Sequence, residues 1–163
     1  MKMLLDIYDH LIPRLVHDYD VQTGLQVMHR IAADAVKQLK PQIERYQESQ
    51  QYGHSVTKSL RDAIFPQEIS QQDPYEALAA LQSLQLFLTY IDSHLLALLP
   101  ASQALWDTNF VQAVEFAQDA ITRQKLWATQ HIKVKSPQTL LVPTAMPEEL
   151  YSSEYGLAGI IRG

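Results

Sequence analysis

Residues 73–100 read Asp73-Pro74-Tyr75-Glu76 and then ALAALQSLQLFLTYIDSHLLALLP, ending at Pro100. The opening four residues have the order of a helix start. Asp73 is the N-cap acceptor, Pro74 takes the first helical position, and Glu76 stands where it can reach back to the N–H of Asp73. Behind them Leu81, Leu84, Leu88, Ile91, Leu95 and Leu98 alternate spacings of three and four. That rhythm lays one apolar seam along a helix, and Pro100 is expected to stop it. Leu78, Leu86, Leu96 and Leu99 lie off the seam. The helix is therefore apolar on more sides than a bundle core covers, and it calls for a second layer over it.

The rest of the chain follows the same period. Leu4, Ile7, Leu11 and Leu15 make a stripe from about Lys2 to Tyr19, with a kink or break expected near Ile12 because Pro13 has no N–H to donate. Leu25, Met28, Ile31, Ala32, Ala35, Leu39, Ile43 and Tyr46 mark the inner face of a second segment, from Asp20 or Thr23 to about Gln50. Its stripe crosses Pro41, which predicts a kinked helix and not two helices. Residues 51–72 lose the period and read as a connection, with a short helix near Val56–Ile64. Asp107 or Thr108 caps a last helix with Phe110, Val114, Ala117, Ile121 and Ala128 on its stripe, ending near Lys133. Of five glycines, only Gly24 and Gly53 fall before the last eight residues, and no Asn-Gly or Asp-Gly hairpin signal occurs. The fold class is all-α: a four-helix bundle over residues 1–133. Residues 134–163, with Pro137, Pro143, Pro147 and an extended-looking Thr139–Val142, form an irregular C-terminal arm packed on the bundle or on a partner subunit.

Composition excludes more than it assigns. A net charge of −5 with 13 Lys+Arg lacks the basic footprint of a nucleic-acid binder. The absence of cysteine excludes disulfides and thiolate chemistry. Asp6 interrupts the N-terminal apolar residues too early for a signal peptide, and the longest apolar run, Leu84–Leu99, is short of a membrane span. The expectation is a cytoplasmic chain without membrane or nucleic-acid partners. No phosphate-binding glycine loop, dinucleotide fingerprint or Gly-x-Ser-x-Gly elbow is present.

Two helical hairpins joined by a long connection resemble the ferritin-like superfamily, by topology and pattern and not by a motif. That resemblance implies a di-metal site built from Glu-x-x-His pairs. The chain contains no Glu-x-x-His: Gln26 precedes His29, Ile91 precedes His94 and Ala128 precedes His131. No family ligand carries over, and the expectation is a non-catalytic bundle that binds or scaffolds, without an intact metal site or cofactor. The alternative is a metal-binding or redox protein holding iron, manganese or zinc through a non-standard set drawn from His10, His17, His29, Asp92 and His94. His10 and His17 are seven apart with Asp6 one turn before, a spacing that places them near one helix face. Exposed i, i+4 pairing explains the same residues and is preferred. Asp34, Glu44, Glu115 and Asp119 sit off the inner stripes and read as solvated helix surface. His94, following Phe87 and Tyr90 at helical spacing, is the expected buried titratable group. Trp106, Trp127 and the tyrosines read as packing. The glycine-spaced end, Tyr155 to Gly163, resembles in composition the tails of encapsulin cargo proteins; packing on its own bundle or in a homodimer is preferred, with a separate protein partner as the alternative.

Overall fold

Four amphipathic stretches become four helices in the computed structural model, which describes residues 1–46, 62 and 75–141. They are α1 (Lys2–Leu11), α2 (Tyr19–Glu44), α3 (Glu76–Ala104) and α4 (Thr108–Leu140). No strand occurs among the described residues, so the protein is an all-α helical bundle. The expected short helix near Val56–Ile64, the Asp73-Pro74 cap and the chain beyond Leu141 lie outside the described residues.

The directions of the helices follow from side-chain pairs along their length. At one end of α2, Asp18 meets Lys135 at 2.6 Å. Near the same end Gly24 faces the Trp127 ring, and at the other end Arg45 meets Asp107 at 3.0 Å. The residue numbers rise on α2 as they fall on α4, so the two helices are antiparallel. Asp92 pairs with Lys125 at 2.6 Å, and the short turn at 105–107 makes α3 and α4 an antiparallel hairpin. α1 folds back on α2, bringing Asp9 to His29 at 3.4 Å and the Gln22 amide to the Ile12 carbonyl at 3.1 Å. Leu4, Ile7 and Leu11 of α1, Leu25 and Ala32 of α2, Leu84, Leu88 and Ile91 of α3, and Val114, Ala117 and Ile121 of α4 share one buried core.

Proline separates expectation from outcome. α1 does end at Leu11, two residues before Pro13, and bends through turn bonds from Arg14 and Leu15 to the Leu11 carbonyl. α2 passes through Pro41 as expected, though it starts earlier than the sequence suggests, with Asp18 accepting from the Val21 N–H, and it ends earlier, at Glu44. Pro100 and Pro137 stop nothing: α3 continues to Ala104 and α4 to Leu140. A proline inside a helix orphans the carbonyl four residues back. Here those carbonyls belong to Lys37, Leu96 and Lys133, and each of these residues and each proline is exposed. Solvent reaches the orphaned groups, so packing on the inner face carries the helix through. Residues 134–140 therefore belong to the bundle and not to an extended arm.

Three further expectations change. Glu76 points across to Arg14 at 3.2 Å, both side chains nearly buried, and ties the α1–α2 turn to the start of α3. Leu78 is core, not outer surface, at 4% exposure. Ile43 and Tyr46 at the end of α2 are exposed, because the helix runs past the core there. By length and composition α3 alone among the described helices is able to cross a membrane, at a mean hydropathy of 1.3 over 18 residues; the core helix of a bundle passes the same test.

Candidate functional site

The densest cluster of specific contacts at the surface lies where α2 ends and α3 turns into α4. Asp107 caps α4, its Oδ1 accepting from the Phe110 N–H at 3.1 Å. Its Oδ2 accepts from the Arg45 guanidinium at 3.0 Å and from the Tyr46 hydroxyl at 3.1 Å. The Tyr46 ring stacks on Phe110 with centroids 5.3 Å apart. The Phe110 N–H, foremost, and then Tyr46 and Arg45 hold the Asp107 carboxyl below its usual range. Partial desolvation, followed by the bond to Asp107 and its charge, pushes the Tyr46 phenol up. With its folded pKa lowered, Asp107 contributes stability above its ordinary value of 3.8, and that contribution is lost as pH falls through the lowered one.

On this pinned base stands Trp106. Its φ is 54°, the only positive φ at a non-glycine position among the described residues. The preceding bonds, Leu105 N–H to the Ala101 carbonyl and Trp106 N–H to the Gln103 carbonyl, close α3 as helices close before a left-handed residue, a place normally given to glycine. Trp106 is also 93% exposed. The side chain neither relieves the backbone nor packs. Leu105, next to it in the chain, is exposed as well, as are Ile43 and Tyr46 at the end of α2 that Arg45 and Tyr46 tie to Asp107, so this end of the bundle presents aromatic and aliphatic surface. The reading of Trp106 as packing is corrected: it stands just past the end of α3, where no helical face carries it inward, and it is exposed.

A second polar feature is internal. The Tyr8 hydroxyl donates to Gln124 Oε1 at 2.5 Å, and the Gln124 amide donates to the Ala120 carbonyl at 3.0 Å. Both residues are fully buried. Burial drives the phenol far above its ordinary range, which keeps it a neutral donor. Gln124 was legible in principle, since it falls three after Ile121 and four before Ala128 on the α4 stripe. The contact fixes α1 on α4 and leaves no group free for chemistry.

The residues singled out as candidate metal ligands do not converge. His10 is exposed and contacts Arg14 at 2.9 Å. His17 lies beyond the end of α1, so the expected His10–His17 helix face does not form. His29 is edge-on to the Tyr8 ring and pairs with Asp9. Asp92 is engaged by Lys125. His94 is exposed, against expectation, lying over the Tyr90 ring at 4.4 Å with its Nδ1 2.9 Å from the Tyr90 carbonyl. The aromatic neighbour that suggested burial is itself on the flank of α3. Among the described residues no group of three or more His, Asp or Glu side chains is arranged to hold a metal. No family model, curated protein or solved structure matches the chain.

Proposed function

We propose that this chain is a non-catalytic binding or scaffolding protein: a ferritin-like bundle without an intact di-metal site, cytoplasmic and self-associating as a homodimer. The single observation that carries the binding reading is Trp106, held in a strained conformation and 93% exposed. A large exposed aromatic side chain next to the pinned Asp107 cap, with exposed Leu105 and Tyr46 at the same end of the bundle, has the make-up of an interface anchor. A second copy of the chain is its first candidate partner. The ferritin-like topology is supported by the two antiparallel pairs on α4, which make α2 and α3 parallel. Tyr46 and Tyr75 then lie at opposite ends of the bundle, as a long crossover requires. The ten-residue α1 is shorter than that fold's usual first helix.

Sedimentation equilibrium over a range of concentrations tests the proposal, beside the Trp106→Ala variant. The expected result is a dimer that the variant weakens at least tenfold with its helicity intact. Metal analysis of the purified protein tests the other half. Only trace metal is expected, and near-stoichiometric iron, manganese or zinc would overturn the non-catalytic reading.

A further inference from the structure

Between Ala77 and Ala104 the only Asp, Glu, Lys, Arg or His residues are Asp92 and His94. Asp92 is already paired with Lys125 on the edge toward α4. The outward face of α3 is therefore an uncharged strip: Ala79, Gln82, Leu86, Thr89, Ser93, Leu96 and Pro100, all exposed and spaced by three and four. Leu86 and Leu96 are 62% and 61% exposed. The hydroxyls in the strip are turned back onto their own helix, Thr89 to the Gln85 carbonyl at 2.9 Å and Ser93 to the Tyr90 carbonyl at 2.7 Å. Covering this face would orphan neither. On its edge, two turns before Asp92, the buried Gln85 Oε1 lacks a hydrogen-bond partner among the described residues. The strip is thus prepared for cover.

We infer that the cover is this chain's own segment 142–163, laid along the outer face of α3 in the same molecule. Three observations favour it. Leu141 and Glu76 stand equally far along their helices from the Lys125–Asp92 pair, so the chain leaves α4 beside the start of α3. From there 22 residues remain, able to span about 70 Å extended, against a helix of 29 residues about 43 Å long. Their composition suits the strip: Val142, Leu150, Leu157, Ile160 and Ile161 are aliphatic, and after the acids Glu148, Glu149 and Glu154 the last eight residues carry one charged side chain, Arg162. Size decides against a second copy at this face. A strip about 43 Å long and about 10 Å wide offers on the order of 400 Å², about half of what each side of a stable interface buries. A tethered segment needs less, because its effective concentration is of millimolar order. This inference is independent of the Trp106 surface, which lies at the other end of α3.

The chain has no cysteine, so single thiols report cleanly. Leu86→Cys and Leu96→Cys are placed separately in the full chain, each with the native arm and with Leu157→Asp, Ile160→Asp and Ile161→Asp together. Gln112→Cys on the exposed side of α4 is the control, and circular dichroism confirms that every variant is folded. Alkylation rates are measured across a hundredfold range of protein concentration. Thiols at 86 and 96 should react at least tenfold more slowly with the native arm than with the substituted one, at every concentration, while the control is unchanged. Equal rates with both arms would overturn the inference. So would protection that fades on dilution, which would give the face to a second copy. Failure of the Trp106→Ala test leaves this result untouched.

Discussion

α2 and α3 are near equals in length, 26 and 29 residues, and both lie against α4. Their outer faces are opposites. α2 turns Asp20, Arg30, Asp34, Lys37, Lys40 and Glu44 to solvent, the ordinary solution for a helix with one buried stripe. α3 turns out leucine, alanine, threonine and serine and no charged pair. The difference lies in the residues bought for the outer side, not in the inner side, where both supply aliphatics to the same core. A helix whose inner seam is complete and whose outer face is still uncharged is built for two contacts, and only the inner one, with α4, is internal to the described bundle.

The largest effect should come from the inner seam. Leu88→Ala, at a fully buried position, should lower unfolding free energy by about 2–5 kcal/mol in denaturant titration. The matching outer change on α2, Arg30→Ala, should stay within about 0.5 kcal/mol. Similar values for the two would erase the contrast between seam and surface.

Next in size is the bond that holds α1 to α4. Tyr8→Phe leaves Gln124 Oε1 buried without its donor, at a cost of about 1–3 kcal/mol. Adding Gln124→Leu should recover much of it, since an apolar pair of similar shape leaves nothing unsatisfied. The same bond sets an alkaline limit. The phenol's folded pKa is raised from 10.0, so its contribution is intact below pH 10.0 and is lost progressively above it as the unfolded chain ionises. Tyr8→Phe should flatten that decline relative to the native protein. An unchanged alkaline profile would mean that other groups set it.

Smaller again is the contact between α2 and α4 at Gly24. A Cβ there would lie 2.3 Å from the Trp127 ring, which is itself held against His131. Overpacking of about 1–3 kcal/mol exceeds the helix-propensity gain of about 1 kcal/mol from Gly→Ala. Gly24→Ala should thus lower the melting temperature. A rise would show that the ring swings away freely and that this side of α4 is no tighter than the α3 side.

The helices were legible because their apolar residues recur on one face, and Asp107 was legible as a cap because an acid stood immediately before a periodic run. Pro13 and Pro41 were read correctly, as a break and as a crossing, while Pro100 and Pro137 were misread as stops. Sequence shows that Pro100 and Pro137 lack an N–H, but not that the carbonyls they orphan face water. The polar contacts were largely hidden because they join distant positions: Tyr8 to Gln124 and Arg14 to Glu76. Histidine spacing misled for a related reason. The His10–His17 face needed α1 to continue past Leu11, and His94 needed Tyr90 to be core. Trp106 was hidden by backbone conformation, since no spacing rule reports a φ of 54°.

The ends of the two helices give the smallest and sharpest test. α2 closes in ordinary right-handed geometry at Arg45, whose guanidinium is used by Asp107. α3 closes on Trp106 in the left-handed region, where a side chain raises the energy by roughly 1–2 kcal/mol relative to glycine. Trp106→Gly relieves that strain but also frees the unfolded chain, which returns up to about 1 kcal/mol of the gain. The net expectation is a monomer as stable as the native chain or more stable by up to about 2 kcal/mol, measured at a concentration well below the dissociation constant of the proposed dimer, together with weakened association. Both halves matter. Loss of monomer stability would mean that the indole packs within its own chain and would remove the argument that the fold carries it for a partner. Unchanged association would leave the strain without a use and move the proposed self-contact away from this end of the bundle.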